Sequence, residues 1–489
     1  MDRSRGAGKH RLQRAVLVAV MAVVVGMLVP GLGHAGGPGK WTKIPTTGKV
    51  DGFDQAAMFR TPDGKLHVVW KVHLGANNEN LRWATISQAG KLLASGNVLP
   101  SNWGTIDVTP HLMKFATAGV RVVFKGAQST SGFFSTGSVY TSTSPDGQHW
   151  TLEHVSMSSH TVLNGTLAAT AENDGTPVGA VGLNDALFVH VGTDPAAPAG
   201  VIDTTFTQPN TTAMLNQTLV TDTDGSVWMA WYRWTDEATQ GVYVQKILPS
   251  AGPAQKAPSS GIAANLNAPL EQVALAARAG GGIFVAYCVP TKTKQCAQVD
   301  LWKAGAAKAR LVPGSKTGGA SRVAIAAGPQ GRISVAWIDV TKNVIRAVRT
   351  NTTGTAFGPV RTVKVPPKAF VYDPLEIEGS SGRLDIVANV VSGATGFPIQ
   401  LWHTQILPGL SLKASPHTFS HTGATVTFTV TDAGQPLANA GVSCLGHKGK
   451  TNANGKATIH FPSGTPKGNA VATASKGGYN SAKITVKVT

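Results

Sequence analysis

Past residue 35, apolar positions either alternate with polar ones or gather in short runs closed by glycine turns, and nowhere do they keep a sustained 3.6-residue period. That pattern predicts strands. A two-strand unit recurs along the chain, its second strand rich in Val, Ala and aromatic residues. These second strands fall at 65–70, 120–124, a degenerate 176–181, 226–231, 282–287, 332–337 and 383–388. The turn glycines that introduce them are Gly64, Gly119, Gly175, Gly225, Gly281, Gly331 and Gly382, at successive intervals of 55, 56, 50, 56, 50 and 51 residues. A third strand follows each pair, as at 80–85, 138–143, 186–191 and 241–245, and a more variable fourth closes most units, as at 149–155.

Four strands per fifty-odd residues describe the blade of a propeller, in which each sheet covers both faces against its neighbours. The fold class expected is therefore all-β: a seven-bladed β-propeller, with six blades as the alternative, followed by a small β-sandwich. Trp70, Phe124, Trp231, Tyr287 and Trp337 occupy one place in the repeat and are expected to pack between blades. The last unit lacks a fourth strand of its own. Lys40-Trp41-Thr42-Lys43-Ile44 resembles the fourth strand beginning at His149, so it is expected to pair into the last blade and join the ends of the ring.

Composition divides the chain in three. Residues 1–35 read as a signal peptide: Arg3, Arg5, Lys9, Arg11 and Arg14 precede an apolar run at 15–29 too short to span a bilayer, and Gly33-His34-Ala35 offers a cleavage site. The mature chain is thus expected to be secreted, without a transmembrane segment. Residues 36–407 form the propeller and 408–489 the sandwich, whose strands alternate around 425–431, 440–442, 451–457 and 484–488. In this last unit Lys413, Lys448, Lys450, Lys456, Lys467, Lys476, Lys483 and Lys487 face one acid, Asp432, with no Glu or Arg, a net charge of +7 within the chain's +18. Such a field either solubilises or attracts anionic polymers such as wall teichoic acids or acidic lipid surfaces. Nucleic acid is not expected, because the unit has no Trp and few other aromatics to stack on bases.

Three cysteines leave one over after any pairing. Cys288 and Cys296, placed at a strand end and a strand start with 289–295 as the loop, are the expected disulfide, and Cys444 is expected to be a buried core residue. Asp222-Thr223-Asp224-Gly225 reads as a tight turn, not a calcium loop, and the scattered histidines give no zinc spacing. Neither a metal nor a cofactor is expected.

Ser144-Pro145-Asp146-Gly147-Gln148-His149-Trp150 resembles the Asp-box of sialidase-like propellers, a folding device in which Ser and Asp side chains bond loop amides above a packed ring. The resemblance implies a propeller over 36–407. A sialidase grips its substrate carboxylate with three arginines and attacks with a tyrosine; here Lys43-Ile44-Pro45 stands for the family's Arg-Ile-Pro, and Lys cannot replace a bidentate guanidinium. Tyr140, Tyr232, Tyr243 and Tyr287 hold ordinary strand positions. The C-terminal unit resembles bacterial immunoglobulin-like modules of the invasin and intimin type, or carboxypeptidase regulatory-like modules, which implies a spacer or adhesive role.

In a propeller the residues opening the innermost strands ring one mouth of the central channel. Those positions hold Asp54, His111, Asn164, Asn216, Glu271, Arg322 and Asp373, and the longer loop of Arg233, Trp234, Asp236 and Glu237, with Phe133 and Phe134, belongs to the same face. An aromatic platform beside carboxylate, guanidinium and amide groups suits a saccharide. The sequence therefore points to a secreted, non-enzymatic recognition protein for a glycan or glycosylated surface partner, with the basic module for cell-surface association. The alternative is a sialidase-like glycoside hydrolase or lyase acting on extracellular polysaccharide, which would need two carboxylates around one substrate bond.

Overall fold

The computed structural model describes residues 38–489, apart from 53, 108, 129–137, 154–166, 184–185, 193–199, 204–213, 234–239, 262–272, 292–293 and 393–397. Residues 1–35, expected to be a signal peptide, lie outside the described residues. Among the described residues there is no α-helix, and none long and apolar enough to cross a membrane. The chain is all-β. Seven antiparallel sheets follow one another between residues 42 and 406, each running from an inner to an outer strand. Their innermost strands are Ala56–Arg60, His111–Phe115, Leu167–Ala171, Met214–Thr221, Val273–Ala277, Ala320–Ala327 and Ala369–Glu378. Each packs beside the next, and the last returns to the first, so the sheets form a closed, propeller-like ring.

The expected closing strand is present. Thr42–Lys43 pairs antiparallel with Ile399–Ile406, Thr42 opposite His403 and Lys43 opposite Trp402, and Ile44 N–H donates to the Leu401 carbonyl at 2.9 Å. Side chains reinforce this seam between the first and last sheets. Arg60 donates from Nε to Glu378 Oε2 at 2.6 Å and from Nη2 to Asp385 Oδ2 at 2.5 Å, while Asp385 also meets His403 Nε2 at 2.8 Å.

The second strand of a sheet is covered on both faces, which explains its unbroken apolar character: all seven residues of Ile333–Asp339 are buried. Trp70, Phe124, Trp231, Tyr287 and Trp337 are fully buried and each packs against the preceding sheet, Trp70 on Val387 and Leu401, Trp337 on Phe284 and Ala286. Six of the seven turn glycines adopt the left-handed region that favours glycine. Gly119 does not. Ala116 holds the positive φ of that turn, and Gly119 is the first residue of Gly119–Ala127, where a Cβ would meet the Ser144 carbonyl at 2.6 Å.

The Asp-box behaves as a loop brace. Asp146 Oδ1 accepts from the Gln148 and His149 amides at 2.8 and 2.9 Å and from Ser144 Oγ at 3.1 Å, bonds that hold its carboxyl well below the usual range, while Trp150 packs beneath. The strand after it is shorter than expected, Thr151–Leu152. Asp224 likewise accepts from Ser226 N–H at 2.9 Å, which makes its segment a turn. Cys288 and Cys296 are disulfide-bonded with Cα atoms 4.9 Å apart. The intervening residues are not a long loop: Ile283–Thr291 and Lys294–Lys303 extend the hairpin past both cysteines.

Residues 411–488 form two further sheets. In one, Ala424–Asp432 pairs with Ser411–Ser415, Gln435–Pro436 and Lys456–Phe461; the other runs in the order Thr418–Phe419, Ala482–Val488, Gly468–Ser475, Gly441–Cys444, His447–Lys450. Their strict in–out alternation buries Val426, Phe428, Phe461, Ala472 and Val486 between them. Cys444 joins this core, and burial pushes its thiol up.

Asp432 ties this unit to the ring. It is 2% exposed and accepts from Arg349 Nη2 at 2.5 Å and Tyr479 Oη at 3.0 Å, with Arg332 Nη2 3.3 Å away. Both arginines belong to the sixth sheet and its turns. Gln435 adds a two-way bond to Thr352, donating to Oγ1 at 2.7 Å and accepting from N–H at 3.1 Å.

Candidate functional site

The innermost strands enclose a cavity of about 380 Å³ on the ring axis, to which all seven contribute. Its wall is apolar at most levels. Counting six residues back from the turn glycines of the first, fourth, fifth and sixth sheets gives Met58, Leu219, Leu275 and Ile325 on the wall, and at the same place in the seventh sheet stands Glu376. Among the described residues Glu376 is the cavity's one carboxyl. Burial in this apolar belt raises it to about 8, so at neutral pH it is mostly a neutral acid able to donate as well as accept a hydrogen bond.

Gln217 lies on the same wall, 7% exposed, and neither its Nε2 nor its Oε1 has a hydrogen-bond partner. An unsatisfied buried carboxamide costs roughly 1–3 kcal/mol, a cost that the wall of this cavity bears. His111, on the cavity wall, donates from Nε2 to the Leu167 carbonyl at 2.9 Å. This fixes Nδ1 as an acceptor, and burial lowers the ring's basicity. Arg322 completes the set. Its guanidinium is drawn down to about 10 by burial, with Tyr372 beside it opposing the shift.

Arg322 also carries a left-handed backbone, φ 52°, unusual for a residue with a side chain. It sits in a register shift between Ser321 and Ala324; comparable shifts occur at Leu215/Thr218 and Val371/Leu375. Arg322, Asn216 and Asp373 therefore occupy bulges at one level of three innermost strands, where the backbone departs from the regular pleat. Of the positions expected at the channel mouth, the structure brings His111 and Arg322 to the cavity. Asn216 and Asp373 lie in their strands, with side chains not described. Asn164, Trp234, Asp236, Glu237 and Glu271, like Phe133 and Phe134, lie outside the described residues.

Asp54 is placed differently. Its carboxylate is buried and spent internally, 3.0 Å from Lys71 Nζ, 3.2 Å from His73 Nε2 and accepting the Asp51 amide at 2.7 Å. His73 Nδ1 meets Glu79 Oε1 at 2.8 Å, and the two carboxylates raise its imidazole to about 9. This network neutralises both acids and does not line the cavity. Arg233 ends Val227–Arg233 with its guanidinium 6.0 Å from the Tyr243 ring centre, also off the cavity. Sequence reasoning missed Gln217 and Glu376. A signal for Glu376 was present, an acid where other units place Met, Leu or Ile.

Tyr140, Tyr232, Tyr243 and Tyr287 all lie within strands; Tyr287 Oη donates to the Pro258 carbonyl at 2.6 Å, and burial raises the Tyr232 and Tyr287 phenols. Among the described residues no three His, Cys, Asp or Glu side chains are grouped to hold a metal.

No family model matches the chain, and no curated protein does. Solved structures with a similar fold include the BP39L lectin of Burkholderia pseudomallei, at 12% identity over 71% of this chain and 97% of that one, TM-score 0.44. A Penicillium chrysogenum α-L-arabinanase complexed with arabinobiose matches at 13% identity over 75% and 98%, TM-score 0.39. The polysaccharide lyase Uly1 matches at 10% identity over 72% and 89%, TM-score 0.43.

Proposed function

We propose that the mature chain is a secreted recognition protein: a seven-bladed propeller over 36–407 whose axial cavity binds the end of a glycan without cleaving it, and an immunoglobulin-like module over 408–489 that associates with the cell surface. The observation that carries the binding reading is Gln217, a buried carboxamide among the cavity-lining residues, with both polar atoms unpartnered. Around it stand Glu376 as a neutral acid, His111 as an acceptor and Arg322 as a donor, on walls of Met58, Leu219, Leu275 and Ile325. Hydroxyl groups both donate and accept, and the C–H faces of a sugar ring pack on apolar walls, so this combination suits a neutral glycan. A cavity of about 380 Å³ is at the small end for such ligands. The non-catalytic part rests on the cavity's single carboxyl among the described residues, where glycoside hydrolysis ordinarily uses two.

The test is a glycan array with the mature protein beside a panel of chromogenic glycosides, followed by calorimetry on Gln217→Leu. This variant should bind the selected glycan about tenfold more weakly while being no less stable, because it removes an unsatisfied amide from an apolar wall. Undiminished affinity in Gln217→Leu would move the site out of the cavity, and turnover of any glycoside would make the protein an enzyme.

A further inference from the structure

The C-terminal module carries its positive charge on one side more than the other. In the five-stranded sheet, Val442, Cys444, Ala470, Ala472, Ala474, Val486 and Val488 point into the core, so the alternate residues form its outer face. On that face the pairing aligns Lys483 with Thr473, Thr473 with Ser443, and Ser443 with Lys448, one row across four strands. The next row holds Ser475, Gly441 and Lys450, and on the other side Lys487 stands opposite Asn469. The result is a trough. Its floor is mostly small and polar, with Val471 exposed opposite Thr485, and its two walls are the lysines of His447–Lys450 and of Ala482–Val488, all exposed.

Strand geometry sets the scale. Three interstrand steps put Lys448 and Lys483 about 14 Å apart, Lys448 and Lys450 are about 7 Å apart along their strand, and Lys483 and Lys487 about 13 Å. Among the described residues none of these four lysines has an ion-pair partner. The module's single acidic side chain, Asp432, is buried in the seam with the ring, where Arg332 and Arg349 occupy it. No Asp or Glu side chain on the module's surface therefore competes for the trough.

We infer that this trough binds an extended phosphodiester polymer of the wall teichoic acid kind, laid between the two lysine walls with its backbone oxygens on the Ser443, Thr473 and Ser475 hydroxyls. The inference rests on the surface-association role proposed above and names its ligand. Charge complementarity selects a polyanion. The floor has no aromatic residue on which a base could stack, which disfavours nucleic acid. Its one large exposed apolar side chain, Val471, gives little to insert between lipids.

The experiment measures binding of the full mature chain to poly(glycerol phosphate) at 50 and 200 mM salt, with anionic vesicles and a single-stranded oligonucleotide as comparators. Four charge contacts at a single-strand-like counterion term predict an affinity loss of about fifty-fold between the two salts, falling to about sevenfold in the Lys448→Ala, Lys483→Ala double variant. At 50 mM salt that variant should bind at least tenfold more weakly than Lys413→Ala, Lys456→Ala, which removes two lysines from the opposite sheet. Equal loss in the two double variants overturns the trough but leaves surface association standing. Vesicles or oligonucleotide bound as tightly as the polymer overturn the ligand assignment. No binding to the polymer or to purified walls at 50 mM removes both the trough and the association role.

Discussion

Replacing Asp432 with Asn keeps its shape and removes its charge. Two guanidiniums, Arg349 at 2.5 Å and Arg332 at 3.3 Å, would then face each other in a seam where their side chains are 10% exposed, with no anion between them. Arg332 is already drawn below the ordinary arginine range by burial and by the Arg349 charge, with Asp432 working against the shift. Removing one partner from a buried ion pair typically costs about 3–5 kcal/mol, because the remaining charge keeps its desolvation penalty without compensation. Here that cost falls on the contact between ring and module. It corresponds to a factor of roughly 10²–10⁴ in the docking equilibrium. Of Asp432's partners only Tyr479 packs against the module's core, so the core should keep most of its own stability. Differential scanning calorimetry should show the module's transition separating from that of the ring, and limited proteolysis should cut the chain between Ile406 and Leu410 in the variant and not in the parent. The attribution to charge has its own check. In an Arg349→Met background, Asp432→Asn should cost less than half as much, since only one guanidinium is left uncompensated. An Asp432→Asn protein whose scan and digest match the parent's would refute the account of the seam.

Glu376→Gln should flatten the pH dependence of stability. The folded carboxyl near 8 lies above its ordinary 4.5, so its contribution is complete below 4.5 and lost as pH rises through 8; the variant should gain in melting temperature on the parent from pH 5 to pH 9. His73, raised to about 9, loses stability in the same direction in both proteins, so a constant difference between the two would mean that Glu376 does not titrate in this range. Gly331→Ala should cost at least about 2 kcal/mol, since its φ is 77° and a Cβ would lie 2.5 Å from the Ala279 carbonyl, whereas Gly281→Ala, at φ 88° in open space, should cost only about 1–2 kcal/mol; equal losses in denaturant titrations would refute the contrast. Hydrogen exchange at the Ile44 amide should be slow, matching its bond to Leu401, and exchange as fast as in a free tail would remove the closing strand.

The ring was legible because its information is local and repeated. A buried second strand shows as an apolar run, the turn before it needs a positive φ that glycine supplies, and in five of the seven units an aromatic fills the gap to the preceding sheet. The one misplaced turn follows from the same rule, since Ala116 can hold a left-handed φ at some cost and no pattern marks it. The hairpin around the disulfide was misread for a related reason: Pro290 and Lys294 look like loop residues, yet both lie in strands that pair as far as Thr291 with Lys294.

The site was less legible, and bulges are the reason. Spacing from a glycine turn locates a residue along an innermost strand, but a register shift between Leu215 and Thr218, Ser321 and Ala324, or Val371 and Leu375 changes which side chain faces the axis. Asp54 fails as a channel residue for a different reason. It finds Lys71 and His73 on the neighbouring strand, a pairing set by antiparallel register and invisible in a list of equivalent positions.

Rigid coupling gives the two proposed sites a combined effect that neither has alone. If Asp432, Gln435 and Asn480 hold the module against the ring, a protein retained through the lysine trough presents its axial cavity in a restricted set of directions toward the same surface. The second contact then becomes intramolecular, and its strength depends on the effective concentration that this geometry permits. Loosening the seam would leave each separate affinity intact and lower only the affinity for a surface bearing both ligands. That separates the seam's contribution from those of the sites it connects.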